Sequence, residues 1–312
     1  MYKQSRRTKT MTIAAIAALA FTFQAIQVSA TSLSNSYARS VETVAATSPT
    51  SIVNQFEVYL KQGQISSAFS YLEAHIKEVN RSQATLMTLH LENAVKKQLP
   101  AIQKRFEASA VQKAIGKVYK KGDSFDNVIS RTKDKTLKVM FMSARDSGYQ
   151  LETAEGFFFP VINYTSFKSF ADWVSSDIST YIDIMSMESE HPSLKDAALL
   201  IGYQQLVNRA LYQETFLSKF PHSNRANQVS NLFLKYRTLT FYGANNTPLF
   251  GYDNKLMHPN AQKAYTAMLQ WNDPKSSAYL NLLQEFMYVV EENNYLLNDE
   301  VEKYRAEKVP NK

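Results

Sequence analysis

No cysteine occurs anywhere in the sequence. That absence excludes disulfides, thiol catalysis, cysteine-ligated metals and a lipidated-cysteine anchor. Glycine and proline are scarce, with 8 and 9 in 312 residues; so little punctuation favours helices over a strand-rich sandwich. The catalytic signatures are missing as well. There is no Gly-x-Ser-x-Gly elbow, phosphate-cradling glycine loop, dinucleotide fingerprint or His-Glu-x-x-His. The five histidines (His75, His90, His191, His222, His258) form no ligand-spaced pair beyond His75 with Glu78, whose bland reading is surface structure. Around 188–196, Glu188, Glu190, His191 and Asp196 lack calcium-loop spacing. The spacing predicts helix-end electrostatics there, with Ser193 as the next N-cap and Asp196 in that helix's first turn. The sequence implies no metal, no cofactor and no catalytic residue.

The amino terminus carries a positive pattern. Lys3, Arg6, Arg7 and Lys9 precede an uncharged apolar run over 11–26, then Val28, Ser29 and Ala30. This is the layout of a secretory signal, with cleavage expected after Ala30. An uncleaved anchor is the alternative, but Gln24 and Gln27 cut the run below the roughly 20 residues a span needs. Ser5, Arg6 and Arg7 hint at a twin-arginine signal; Thr8, Lys9 and Thr10 stand where its apolar residues belong, which favours the general route. Export without disulfides fits a Gram-positive bacterium, in the extracellular space or against the cell wall. No second long apolar run follows, so no transmembrane segment is expected in the mature chain, and the C-terminus has no apolar tail.

Removing the four basic residues of 1–30 leaves 31 basic against 28 acidic side chains. The remainder is uneven. Residues 31–150 hold 17 basic and 10 acidic, 151–312 hold 14 and 18, and 96–138 alone hold 12 and 4. Lys113, Lys117, Lys120, Lys121, Arg131, Lys133, Lys135 and Lys138 are the candidate contacts for a polyanion. Ordinary solvation of helix faces explains the same lysines. Few aromatics interleave with them, and export removes the usual partner, so nucleic acid is not expected.

Residues 31–50 read as a Ser-, Thr- and Ala-rich leader. Ile52, Val53, Phe56, Tyr59 and Leu60 then recur at helical spacing up to Gly63, and a second stripe runs from Ile65 to Val79, making a helical hairpin. Helices are predicted over 82–99, 102–120, 124–131 and 134–146, with Pro100 opening a new one. Residues 149–164 have no helical period and contain Phe157, Phe158 and Phe159 in a row. Alternate side chains of an extended segment face opposite ways, so the three cannot enter one core. The segment is either a buried connector or the lining of a peptide or glycan groove. A long stripe over 167–185 predicts a single helix; further helices follow to 220, from Ser223 to Gly243, and over 279–290. Residues 244–259 read as irregular, with a turn at Asn245 to Pro248.

The expected fold is therefore all-α: irregular stacked helical hairpins, α-solenoid-like, divisible into a basic subdomain over 51–148 and a second over 149–297, with a frayed polar tail over 298–312. Residues 210–236 look tetratricopeptide-like, two helices around Pro221-His222-Ser223. Candidate ligand-binding residues are Glu155, Phe157, Phe158, Phe159, Tyr164, Arg209 and Glu214.

Several local strings carry a resemblance: Glu155-Gly156 before the aromatic-Pro segment, Asp196-Ala197-Ala198-Leu199, Glu214 with Phe216-Leu217, Phe220-Pro221-His222-Ser223, and Gly243 with Asn246-Thr247-Pro248-Leu249-Phe250. Over about 150–250 the chain resembles a group of exported helical proteins of Gram-positive bacteria with no established activity. The resemblance implies an extracytoplasmic location and a helical fold, and brings no catalytic residue. The expected function is a secreted or envelope-associated binding or scaffold protein, its partners cell-wall polyanions or another envelope protein. The alternative is a secreted hydrolase using carboxylates of the second half.

Overall fold

The structure, a computed structural model, describes residues 48–310. The expected signal over 1–30 and all of the leader up to 47 lie outside the described residues. The fold is mainly all-α, with short antiparallel strand pairs between helices. No helix among the described residues is long and apolar enough to cross a membrane.

Helices α1 (Pro49–Lys61) and α2 (Ile65–His75) form the first hairpin, and α1 begins inside the expected leader, capped by Ser48. Gly63 turns the chain between them at φ 70. Helix α3 (Arg81–Phe106) runs straight through Pro100. A new helix was the local expectation there, because an interior proline costs about 3 kcal/mol. Val95, Ile102 and Phe106 are buried on either side of it, and that burial holds one continuous rod. Helices α4 (Ser109–Val118), α5 (Phe125–Arg131) and α6 (Lys135–Asp146) complete the first half.

The segment without helical period is a β-hairpin. Strand β1 (Tyr149–Ala154) pairs antiparallel with β2 (Phe157–Ile162), Ala154 opposite Phe157. Glu155 and Gly156 make the two-residue loop, both at positive φ, as the twist of a tight hairpin demands. Side chains of α3 and α4 cover the β2 backbone. Gln112 donates to Phe158 O (2.7 Å) and accepts from Phe158 N (3.0 Å), and Gln103 donates to Pro160 O (3.2 Å). Such cover protects a short edge from foreign pairing. The strand pair shares its core with the preceding helices: Tyr149 and Leu151 belong to the same apolar cluster as Phe56, Phe106 and Phe141.

The stripe over 167–185 is not one helix. Tyr164–Phe170 forms a 3-10 turn, and α7 (Ser176–Glu190) starts after a break. Arg81 donates to Val174 O (2.9 Å) and Ser175 N donates to Thr85 Oγ1 (2.8 Å), so α3 satisfies the backbone of the interruption. Phe167, Phe170, Val174, Ile178 and Tyr181 are buried all the same. The periodicity read their burial correctly and the backbone wrongly.

Two more hairpins sit in the second half. Strands β3 (Leu194–Lys195) and β4 (Ala198–Leu199) separate α7 from α8 (Tyr203–Lys219). Strands β5 (Gly243–Ala244) and β6 (Thr247–Pro248) separate α9 (Ala226–Tyr242) from α10 (Pro259–Trp271). Ser193 therefore caps no helix, and Asp196 lies at φ 49 in a hairpin turn with Ala197 at φ 56. Nor does Ser223 cap α9, whose N-cap is Arg225; its hydroxyl donates to Asp177 (2.6 Å). Helices α11 (Ala278–Glu292) and α12 (Asp299–Lys308) are the last among the described residues. The expected frayed tail is thus helical through Lys308, pinned by buried Val301, Arg305 and Val309.

Apolar packing forms two clusters, and the α8–α9 hairpin enters both. Phe216 and Val229 join the first, while Leu206, Val207, Ala210, Tyr236, Leu239 and Phe241 join the second. This hairpin is the stretch with the tetratricopeptide look.

Candidate functional site

Two buried charge networks brace the scaffold. Glu92 on α3, 2% exposed, receives Arg225 Nε (2.7 Å), Lys96 Nζ (2.6 Å), Tyr164 Oη (2.8 Å) and Tyr181 Oη (2.6 Å). Burial alone would raise its pKa; the charges of Lys96 and Arg225 and the hydrogen bonds from Lys96 and Tyr181 bring it below the ordinary carboxylate value. Burial, with Glu92 adjoining, pushes the phenols of Tyr164 and Tyr181 up, so both stay protonated donors. The second network joins α7 to α8 and α9. Arg209 Nη1 donates to Glu188 (3.0 Å), to His191 O (2.8 Å) and to Tyr236 Oη (3.2 Å), and Tyr236 donates to Glu188.

The ligand-binding candidates read from the sequence scatter among these features. Glu155 is at the tip of the β1–β2 turn and exposed. Phe157 is 64% exposed, and the ring of Phe158 lies 4.8 Å from that of Tyr119, tilted by 60°. Phe157, Phe158 and Phe159 line a cleft of about 280 Å³ with Gln103, Glu107 and Gln112. Tyr164 belongs to the Glu92 network and Arg209 to the Glu188 network. Glu214 accepts from Tyr279 N (2.9 Å) and from the Ser277 hydroxyl, at the N-terminus of α11. Four separate places result, with no common cleft. The carboxylates of Glu188 and Glu214, two of the 18 acidic side chains of 151–312, are engaged by structural partners.

The basic stretch gathers at one end of α4–α6. Arg131 donates Nε to Val118 O (3.0 Å) and pairs with Asp123, tying the ends of α4 and α5 together. Arg131 is thus a structural tie and not a free cation. Lys117, Lys120, Lys121, Lys133 and Lys135 surround that tie, with Lys113 and Lys138 farther along α4 and α6; all seven are exposed and make no ion pair among the described residues.

A larger concavity lies elsewhere, and its walls begin with the two small hairpins. Their turns interlock: Asn246 N donates to Ala197 O (2.8 Å), Asn246 Nδ2 to Asp196 O (2.6 Å), and Leu199 N to Thr247 Oγ1 (2.8 Å). This clasp compensates Asp196 and Ala197 for their left-handed backbone. After β6 the chain loops back, with Phe250 paired to Met257 and Leu256 to Leu296. Between the clasp, this loop and the N-terminal turns of α8 and α10 opens a groove of about 1250 Å³. Seven amides line it (Gln204, Gln205, Asn246, Asn254, Asn260, Gln262, Asn294), with the rings of Tyr203, Tyr252, Tyr295 and His258. Asp253 and Lys263 are its formal charges. His258 caps α10, its Nδ1 accepting from Asn260 N (3.2 Å), which leaves Nε2 as a donor. Burial raises the Tyr203 phenol, keeping it neutral.

No protein-family model, curated protein or solved structure matches the chain. The groove must therefore be read from its own chemistry. Among the described residues no group of three His, Asp or Glu side chains could hold a metal. A sequence signal for the groove did exist: the irregular 244–259 stretch, with three Asn and two Pro in sixteen residues. Turn formation explains that stretch locally, and its partners on α8, Tyr203 to Gln205, lie about forty residues earlier in the sequence. Helix α10, which supplies Asn260 and Gln262, is not among the helices that the apolar spacing predicts.

Proposed function

We propose that this protein is an extracytoplasmic binding protein that holds the uncharged, hydroxyl-rich stretch of an extended glycan in the groove between α8, α10 and the two interlocked hairpins. One observation carries the reading: an open groove of about 1250 Å³ lined by seven amides and three tyrosines, with one acid and one lysine. A sugar hydroxyl both donates and accepts, and so does each amide side chain. Tyrosine offers an apolar face to the sugar ring and a polar tip to water. The basic–apolar–small run at the amino terminus supports export. The exposed lysines at the end of α4–α6 support a second, salt-sensitive contact with an anionic wall polymer or another envelope protein.

The test is calorimetric titration with hexasaccharides of glucose, mannose and N-acetylglucosamine. One of them is expected to bind, and Tyr252→Ala is expected to weaken it about ten-fold, a loss of about 1.4 kcal/mol. Tyr252 is 64% exposed, so its loss leaves folding intact. Absence of binding by all three, or equal binding by the variant, would sink the reading. An extended peptide that competed in their place would reassign the groove. Retention on washed cell walls is expected to fall as salt rises, and to fall at low salt when Lys117, Lys120 and Lys121 become Gln.

A further inference from the structure

A second cavity, of about 580 Å³, adjoins the groove and shares Pro248, Gly251 and Tyr252 with it. Its chemistry is different. Arg305 of α12 lines it, 5% exposed, its guanidinium 4.6 Å from the ring of Tyr242 and 5.2 Å from that of Phe250. Nη1 donates to Phe241 O (3.3 Å), Nη2 pairs with Glu302 (3.0 Å), and Nε is buried without a hydrogen-bond partner. A buried guanidinium is permanently charged and offers five donors in a planar fork. Here its counter-ion is a carboxylate whose side chain is 55% exposed. Lys255 lines the same cavity, exposed, with no ion pair among the described residues. Its backbone is held at φ 57 by Lys255 N donating to Gly251 O (3.0 Å) and Leu297 N donating to Lys255 O (2.7 Å). With Glu302 as the acid of the lining, two cations face one anion.

We infer that this cavity takes the carboxylate of an acidic sugar unit belonging to a glycan held in the neighbouring groove. The inference rests on the glycan reading of that groove. The incoming carboxylate takes the place of Glu302 on Arg305, and Lys255 neutralises it from the opposite side. Tyr252, whose hydroxyl donates to Asn245 O (2.8 Å), stands between the two compartments. The neutral groove thus sets which chain binds, and the cationic cavity sets whether that chain carries an acid.

The experiment compares each neutral hexasaccharide with the same oligomer carrying a single carboxylate, made by oxidising the C6 hydroxyl of one terminal unit. The acidic form should bind about ten-fold more tightly, the scale of a charge-assisted hydrogen-bonded pair. Lys255→Asn, which tolerates a left-handed backbone, should erase most of that preference. Glu302→Gln should tighten the acidic form several-fold, because the competing carboxylate is gone. Neither variant should alter binding of the neutral form. Equal affinity for the two forms, or a Glu302→Gln variant that weakens the acid, overturns the inference and leaves the groove reading standing. Acid binding that depends on Lys255 but ignores Tyr252→Ala upholds the cavity and removes the groove. If neither form binds, both fall.

Discussion

Glu92→Ala is expected to destabilise the protein by about 3–5 kcal/mol, the cost of leaving a buried guanidinium without its partner. Arg225, Lys96, Tyr164 and Tyr181 all converge on that carboxylate, and Arg225 has Asn93 (2.9 Å) as its other side-chain acceptor. In a chain of this size, such a loss lowers the melting temperature by roughly 10 °C. Thermal melting followed by circular dichroism measures it, and an unchanged midpoint would mean that the carboxylate holds nothing together. The double variant Glu92→Met, Arg225→Met should recover much of the loss, because two apolar groups replace the pair without stranding a charge. The pH dependence has a definite sign. The folded-state pKa of Glu92 lies below the ordinary 4.5. Its stabilisation is therefore full above that ordinary value and disappears as pH falls through the lowered one. The gap between wild type and Glu92→Gln should be constant near neutrality and close in acid.

The second large effect is expected at Gly243. Its φ is +77, and a Cβ there would lie 2.5 Å from Thr247 O and 2.8 Å from Pro248 C. Those atoms are backbone of the β5–β6 hairpin and cannot swing aside. Gly243→Ala should cost roughly 2–4 kcal/mol, combining left-handed strain with a backbone clash. Gly63 provides the control. Its φ is +70 with nothing within 4 Å of the added carbon, so Gly63→Ala should cost only about 1 kcal/mol. Urea denaturation of the two variants separates crowding from conformation, and equal losses would show that the clash relaxes. Gly243→Ala should also weaken any groove ligand, since the displaced hairpin forms one wall.

What could be read in advance followed from periodicity and punctuation. The α1–α2 hairpin was visible because Ile52, Phe56, Ile65, Ala68 and Leu72 repeat on one face around Gly63. The α8–α9 hairpin was visible for the same reason. Pro100 misled because local propensity favours a break and tertiary burial overrode it. The 167–185 stripe misled because a 3-10 turn and a helix bury nearly the same positions. Asp196-Ala197 gave no hairpin signal, lacking the glycine that such turns favour; only Asn246, about fifty residues away, explains why the turn holds. Helix α12 was hidden by its composition, for it buries only Val301 and Arg305. The basic stretch was legible as composition, though Arg131 proved to be a brace. The groove was illegible because its walls come from three separated stretches, 199–205, 246–264 and 294–295, each polar enough to pass for an ordinary loop or helix end.

The α8–α9 hairpin donates side chains to both apolar clusters, and this bears on how the molecule comes apart. Neither half can loosen without stripping Phe216 and Val229, or Tyr236 and Leu239, from a surface the other half is holding in register. Unfolding is accordingly expected as a single concerted event, with slow amide exchange in both halves; protection confined to one half would show that they come apart separately. A fragment ending before α8 would present a greasy face to water, so the two halves must be made, and must survive, as one piece.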